Sequence, residues 1–467
     1  MSITTERCLL MNNLIYLGPE MGPYPMPDTF VKRKVRDWLE AIDLTQLHDP
    51  DPKNLPMTTA GEWKSIILAA KRDSFLMDMT ILEMYTDLAE GGGSGRNAVF
   101  LSEASQEALV VFKGTDLIGG AAQWKDNFLS GNMADSPHQQ GALQWYRECC
   151  RKFGLQQYEI TVTGHSKGGN KAKYVAILDD SADHCVSFDG EGFSDKFFRK
   201  YAPQIMHRAG RISNHMINYD YISPLMNDVG DAVYYYGYNI GTGGFIENHL
   251  PNTFMRFEDD GSFTLDVDPG GRSPEMIALD CFIHSYLRSM NDEERTGALA
   301  MNNDMVNAAF MVNRTMDRRE IIRIFADLAQ DDENRRHMAY MIAYVIRYGQ
   351  RFPESVDMLN SVFSRFGMEG MIQYVNLVAN IINWKTQILW VSLDFSKVAS
   401  AVSAISSRAP GFFHSKMKEY LDKKGIPLEE EELKTLEDII VRTEEYIQMI
   451  SVEEDVTDRN LNADFEE

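Results

Sequence analysis

Tyr158–Asp180 reads YEITVTGHSKGGNKAKYVAILDD, and its three parts carry three different signals. Ile160-Thr161-Val162-Thr163 alternates and is β-branched, which predicts a buried strand. Lys171–Leu178 is rich in Ala, Lys and Leu, which predicts a helix. Between them lies Gly164-His165-Ser166-Lys167-Gly168-Gly169, a G-x-S-x-G pattern on a strand-to-helix turn. A serine in such a turn is forced into a strained backbone conformation that lifts its Oγ above the sheet, an arrangement known as a nucleophile elbow. Gly164 and Gly168 are expected where strand and helix pass too close for side chains. The helix that follows would aim its N-terminal N–H groups and the positive end of its dipole at a developing oxyanion.

The rest of the chain surrounds this stretch with an ordinary globular composition. A length of 467 residues predicts two or more domains, and 44% hydrophobic with 25% charged residues is typical of a soluble protein. The formal net charge of −23 argues against a nucleic-acid backbone or an anionic membrane surface as the main partner. Five cysteines, two of them adjacent at Cys149-Cys150, form neither a disulfide framework nor a C-x-x-C metal pair. A reducing compartment follows. The first twenty residues lack the basic region and cleavage site of a signal peptide. The uncharged window Gly370–Trp384, which no other exceeds, is too short to span a membrane and carries one Gln and three Asn. The expected location is therefore the cytoplasm, without a transmembrane segment.

Three regions are expected. Residues 1–94 read as a helical preamble, with helical spacing over Asp28–Ile42, a capping box at Thr59–Glu62 and a further helical run over Ser74–Ala89. Residues 95–273 read as strands alternating with helices, which predicts a mainly parallel sheet covered on both faces. Its elements are a hairpin from Ala98–Leu101 and Ala108–Phe112, a helix over Gln140–Phe153, the elbow, strands Cys185–Phe188, His215–Tyr219 and Ala232–Tyr238, and a last hairpin around Asp259-Asp260-Gly261. Residues 274–467 read as helices over Glu275–Met290, Asp317–Ala329, Asn334–Tyr348, Pro353–Phe366, Met371–Trp384 and Glu429–Ile450. Met338, Met341, Tyr344, Met368, Met371 and Tyr374 read as core positions. No residue pattern assigns this region a role; covering the cleft and self-association are both open.

A serine is a poor nucleophile until a base takes its proton, and the base needs a carboxylate to fix its tautomer. With the order serine, carboxylate, histidine along the chain, Asp220 is the first candidate acid, because it ends a strand beyond the elbow. Asp189, which ends the strand directly after the elbow helix, is its rival; Asp228 and Asp231 rank lower. Asp189 and Glu191 are expected to border the cleft, as is Asp116. Of the later histidines, His249 lies in a glycine-rich loop that lets a base swing toward Ser166. His284 sits in an apolar helix, and His337 and His414 are expected to be solvated. His165 is expected to point away from the nucleophile, as a structural donor under the sheet, while remaining a cleft candidate. Two backbone N–H groups are needed for an oxyanion hole. Lys167 would supply one, and Thr115, in the turn after Val110-Val111-Phe112, the other.

V-F-K-G-T-D, W-K-D-N-F at Trp124–Phe128, T-G-H-S-K-G-G-N, N-Y-D-Y-I-S-P-L and N-H-L-P together resemble the class 3 lipases. They resemble still more closely an allied bacterial family of uncharacterised lipase-like proteins. The resemblance covers residues 95–255 and implies an α/β-hydrolase fold. It also implies Ser166 as nucleophile, Asp220 as orienting carboxylate, His249 as base, and Thr115 with Lys167 as oxyanion donors. Lys167 stands where the lipases usually carry an apolar residue. Its charge would either favour an anionic substrate or be spent on Asp189 or Glu191.

The resulting expectation is a serine hydrolase that cleaves a carboxylic ester, small or lipid, with no cofactor and no metal. A hydrolase fold turned scaffold, and acyl transfer to an acceptor other than water, are the alternatives.

Overall fold

Strands and helices alternate in the first part of the chain; seven strands assemble into one sheet in strict chain order, and two short ones, Arg256–Phe257 and Phe263–Thr264, pair separately as a hairpin. The computed structural model describes residues 2–18, 25–49, 58–87, 95–115, 121–238, 247–311, 325–365, 374–383, 410–423, 425–426 and 428–452. β1 (Thr80–Asp87), β2 (Gly95–Ser102) and β3 (Glu107–Phe112) pair antiparallel. β4 (Glu159–His165), β5 (His184–Phe188), β6 (Ile212–Ile217) and β7 (Asp231–Tyr235) then continue parallel from β3. The molecule is thus a mostly parallel α/β fold.

Side-chain alternation sorts the strands onto two cores. In β3, Leu109 and Val111 join a cluster with α1 (Thr5–Leu14) and α3 (Ala60–Arg72), while Ala108, Val110 and Phe112 face the other way. There they meet α6 (Pro137–Phe153), α7 (Lys167–Leu178) and α8 (Asp195–Arg208). α6 starts with a Ser136–Gln139 capping box and stops at Gly154, which adopts the left-handed conformation (φ 63°) that suits a glycine cap. α1 is buried along its whole length from Cys8 to Leu14. Its Asn12 side chain donates to Thr163 Oγ1 of the elbow strand at 2.7 Å.

The N-terminal region is less helical than its pattern suggests. Ser74–Ala89 splits into a short helix, α4 (Ser74–Asp78), and the edge strand β1. A bulge between Ile81 and Glu83 breaks the period-two alternation that would have marked it as a strand. Asp28–Ile42 likewise breaks in two, into a 3₁₀ turn at Pro27–Phe30 and α2 (Val35–Glu40). Lys32, at φ 69°, lies between them. The capping box at the start of α3 is present, with the Glu62 N–H donating to Thr59 Oγ1 and the Thr59 N–H to the Glu62 carboxylate.

The chain divides into two compact units, Met1–Asp280 and Cys281–Glu467. Within the second, the described residues are almost wholly helical, including Asp292–Met311, Asp332–Arg351, Pro353–Arg365, Pro410–Lys423 and Glu430–Met449. Met338, Met341, Tyr344 and Tyr374 are buried there, as is His337, which is therefore not solvated. Met368 and Met371 lie outside the described residues. No helix among the described residues is long and apolar enough to cross a membrane.

Candidate active site

β4 ends at His165 and α7 begins at Lys167, so Ser166 alone makes the turn. Its backbone sits at φ 58°, ψ −128°, a region that costs a non-glycine residue about 1–3 kcal/mol and persists only where the surroundings enforce it. They do so on both sides. The Ser166 N–H donates to the Phe188 carbonyl at the end of β5 (3.0 Å), and the Ser166 carbonyl accepts from the Asn170 and Glu191 N–H groups. A Cβ on Gly164 would stand 2.1 Å from the Gly168 backbone, and one on Gly168 would stand 2.0 Å from the Phe112 carbonyl oxygen. The glycines are thus contact points between β3, β4 and α7.

Two parallel strands beyond the elbow, β6 runs out toward Asp220. Asp220 is buried; its Oδ2 accepts from the Ile222 and Ser223 N–H groups at 3.0 and 2.7 Å. Its Oδ1 lies 2.6 Å from Nδ1 of His249, which a 3₁₀ turn at Glu247–His249 presents. These contacts leave His249 Nε2 buried and without a hydrogen-bond partner among the described residues. Asp220 and His249, 29 residues apart, therefore meet with the imidazole oriented by its Nδ1.

His165 does not point away. Its ring lies 4.7 Å from that of His249, and its Nδ1 lies 3.2 Å from the hydroxyl of Tyr16, just past the end of α1. The same hydroxyl accepts from the Gly114 N–H at 3.0 Å. Burial, reinforced by the nearby His249, holds the His165 pKa well below the usual imidazole range, although the His249 backbone opposes the shift. Asp189 borders the same space from the end of β5, in a strained conformation (φ 41°) with Oδ1 accepting from the Ile217 N–H. Burial first, and the Asp220 charge second, push its carboxyl well above the usual range. Nothing local to Tyr16 in the sequence marks it; only the fold brings it here. Asp116 lies outside the described residues.

Lys167 turns its side chain away from the serine and is fully buried. Its Nζ reaches Asp126 at 2.9 Å, Glu191 at 3.3 Å and Ser130 Oγ at 3.2 Å. Burial alone would raise the Asp126 carboxyl, but the charges of Lys167 and His138 bring it below its ordinary value. The lysine partner is Glu191 with Asp126, not Asp189, so the charge is not offered to a substrate and the anionic-substrate expectation loses its basis. Asp126 lies on α5 (Ala121–Ser130), and the next residue, Asn127, donates to Thr115 Oγ1 at 2.8 Å. One helix thus grips both residues expected to line an oxyanion hole. Asp228, a lesser candidate for the acid, is taken by the buried Lys173.

Over residues 72–217 the chain matches the family described as Mbeg1-like. No curated protein matches it. Among solved structures, the Lip2 lipase from Yarrowia lipolytica is similar at 15% identity and a TM-score of 0.26, over 33% of this chain and 65% of the lipase. The Rhizomucor miehei lipase in its propeptide complex is also 15% identical, with a TM-score of 0.24, over 34% of this chain and 57% of that one. The chain spans less than two thirds of either lipase.

Proposed function

We propose that the chain is a serine hydrolase cleaving carboxylic esters, with Ser166 as nucleophile, His249 as base and Asp220 as the carboxylate that fixes its tautomer. The observation that carries this reading is the His249–Asp220 contact. With Nδ1–H held by Asp220 at 2.6 Å, Nε2 keeps its lone pair and is left unpartnered, and the ring lies 4.7 Å from that of His165, the residue before Ser166. His249 Nε2 takes the Ser166 proton as Oγ attacks the ester carbonyl. The oxyanion is received by the Lys167 N–H, at the first turn of α7, and by the Thr115 N–H. His249 then protonates the leaving alkoxide, and a water molecule, deprotonated by the same nitrogen, releases the acyl group from Oγ.

Ester substrates without a required negative charge fit this site, since Lys167 spends its charge internally. The test is covalent labelling by a fluorophosphonate. Wild-type protein should label on Ser166 and Ser166→Ala should not. A folded wild-type protein that refuses the probe would sink the hydrolase reading and favour a scaffold role.

A further inference from the structure

The triad leaves three buried ligand atoms unexplained. His165 Nε2, His249 Nε2 and Asp189 Oδ2 all lack a hydrogen bond of good geometry among the described residues. His165, Asp189 and His249 each bring one ligand atom to within 4.8 Å of the others. We propose that these three residues form a binding site for a borderline divalent cation of the Zn²⁺ class, overlapping the catalytic centre.

The outer partners support the assignment. A histidine that ligates a metal through one nitrogen is usually held through the other by a carboxylate, carbonyl or hydroxyl. His249 is held at Nδ1 by Asp220, at 2.6 Å. His165 faces the Tyr16 hydroxyl with its Nδ1, at 3.2 Å. The third residue, Asp189, has Oδ1 engaged by the Ile217 N–H at 2.8 Å, which leaves Oδ2. Each of the three residues is therefore anchored through one polar atom and keeps another without a well-formed hydrogen bond.

Donor type says which ion. Two buried acids, Asp189 and Asp220, stand beside two imidazoles with no lysine or arginine salt bridge to either acid among the described residues. Two nitrogens and one oxygen suit Zn²⁺, Co²⁺ or Ni²⁺, whereas Mg²⁺ and Ca²⁺ prefer oxygen-only sites. A tetrahedral ion with bonds of about 2.0–2.2 Å places its ligands about 3.3–3.5 Å apart, so closure takes side-chain shifts of about 1 Å. The fourth position would go to water. The ion would occupy the lone pair of His249 Nε2 and so stop it from deprotonating Ser166; this inhibitory consequence, unlike the binding itself, rests on the proposed function.

Binding is read directly, without an enzyme assay. Co²⁺ added to the metal-free full chain should give the visible absorption of a low-coordinate site, saturating at one ion per chain and displaced by Zn²⁺ but not by Mg²⁺. X-ray absorption on the Zn²⁺ form should show a nitrogen and oxygen shell with imidazole scattering and no sulfur. His249→Ala, on the half-buried turn, and Asp189→Asn should each weaken Zn²⁺ binding by at least about tenfold. No saturable Zn²⁺ binding by wild type, a sulfur-containing shell, or affinity unchanged in His249→Ala would each overturn the site. Zn²⁺ should also slow fluorophosphonate labelling, and a chelator should restore it. Zn²⁺ bound with labelling unslowed would refute the inhibitory role alone, while a chain that binds Zn²⁺ but never labels would refute the hydrolase reading and leave the metal site standing.

Discussion

Lys167→Met removes a charge and leaves the volume nearly unchanged, so its effect can be worked out from the cluster it deserts. In the wild type one ammonium sits 2.9 Å from Asp126 and 3.3 Å from Glu191, and all three side chains are buried. Without it, a carboxylate in that space must either stay charged in a low-dielectric setting or take up a proton. Protonation at pH 7 of an acid with an ordinary pKa near 4 costs about 4 kcal/mol, which caps the loss for one carboxylate and agrees with the range for breaking a buried pair. At about 2–4 °C per kcal/mol, Tm should fall by about 8–16 °C. The folded variant then binds one more proton than its unfolded chain near neutrality, so its stability drops as pH rises, by about 1.4 kcal/mol per unit. The deficit against wild type should therefore shrink to about 1.4 kcal/mol at pH 5. In the wild type the sign is opposite: Asp126 is held below its ordinary value, so its contribution is present above about pH 4 and is lost as pH falls further. Thermal melts of both proteins from pH 5 to 8 read this out, with Lys167→Met/Asp126→Asn/Glu191→Gln expected to regain most of the loss. A variant that melts within about 2 °C of wild type at pH 7, or a deficit that ignores pH, would refute the account.

Asp220→Asn should lower the fluorophosphonate labelling rate by about 10³–10⁴-fold, because an amide NH₂ facing His249 Nδ1 selects the wrong tautomer. The Asn carbonyl can still accept from the Ile222 and Ser223 N–H groups, so the melt should move little, and a labelling rate within tenfold of wild type would count against the assigned role. Gly168→Ala should destabilise by about 3 kcal/mol or more, since its Cβ would stand 2.0 Å from the Phe112 oxygen. Gly210→Ala, with nothing within 4 Å of the added carbon, is the matched control and should melt near wild type.

Legibility followed the range of the interaction. The elbow was readable because strand, turn and helix are contiguous, and the β2–β3 hairpin because its two halves flank a short polar turn. Asp220 was marked by its place at the end of a strand and His249 by its glycine-rich loop, both in the serine, carboxylate, histidine order. β1 was hidden by its bulge. α8 was missed because Pro203 and the non-helical Tyr201 interrupt the helical pattern. Partners separated by long stretches were the least readable: Lys167 and Asp126 are 41 positions apart, and nothing local assigns a buried lysine to one carboxylate over another. The position of His165 was misread for a related reason. Its direction depends on Tyr16, far upstream, and on a loop that arrives only at His249.

α1 also sets a timetable for making the protein. Cys8–Leu14 are buried against β3, β5 and the turn at Pro251–Phe254. Residues 107–188, which supply two of those strands, leave the ribosome only after the helix has long emerged. At about 5–20 residues per second the delay to Phe188 is about 10–35 s. During that interval Cys8, Leu9, Leu10, Met11 and Leu14 are without the surface that buries them in the folded chain.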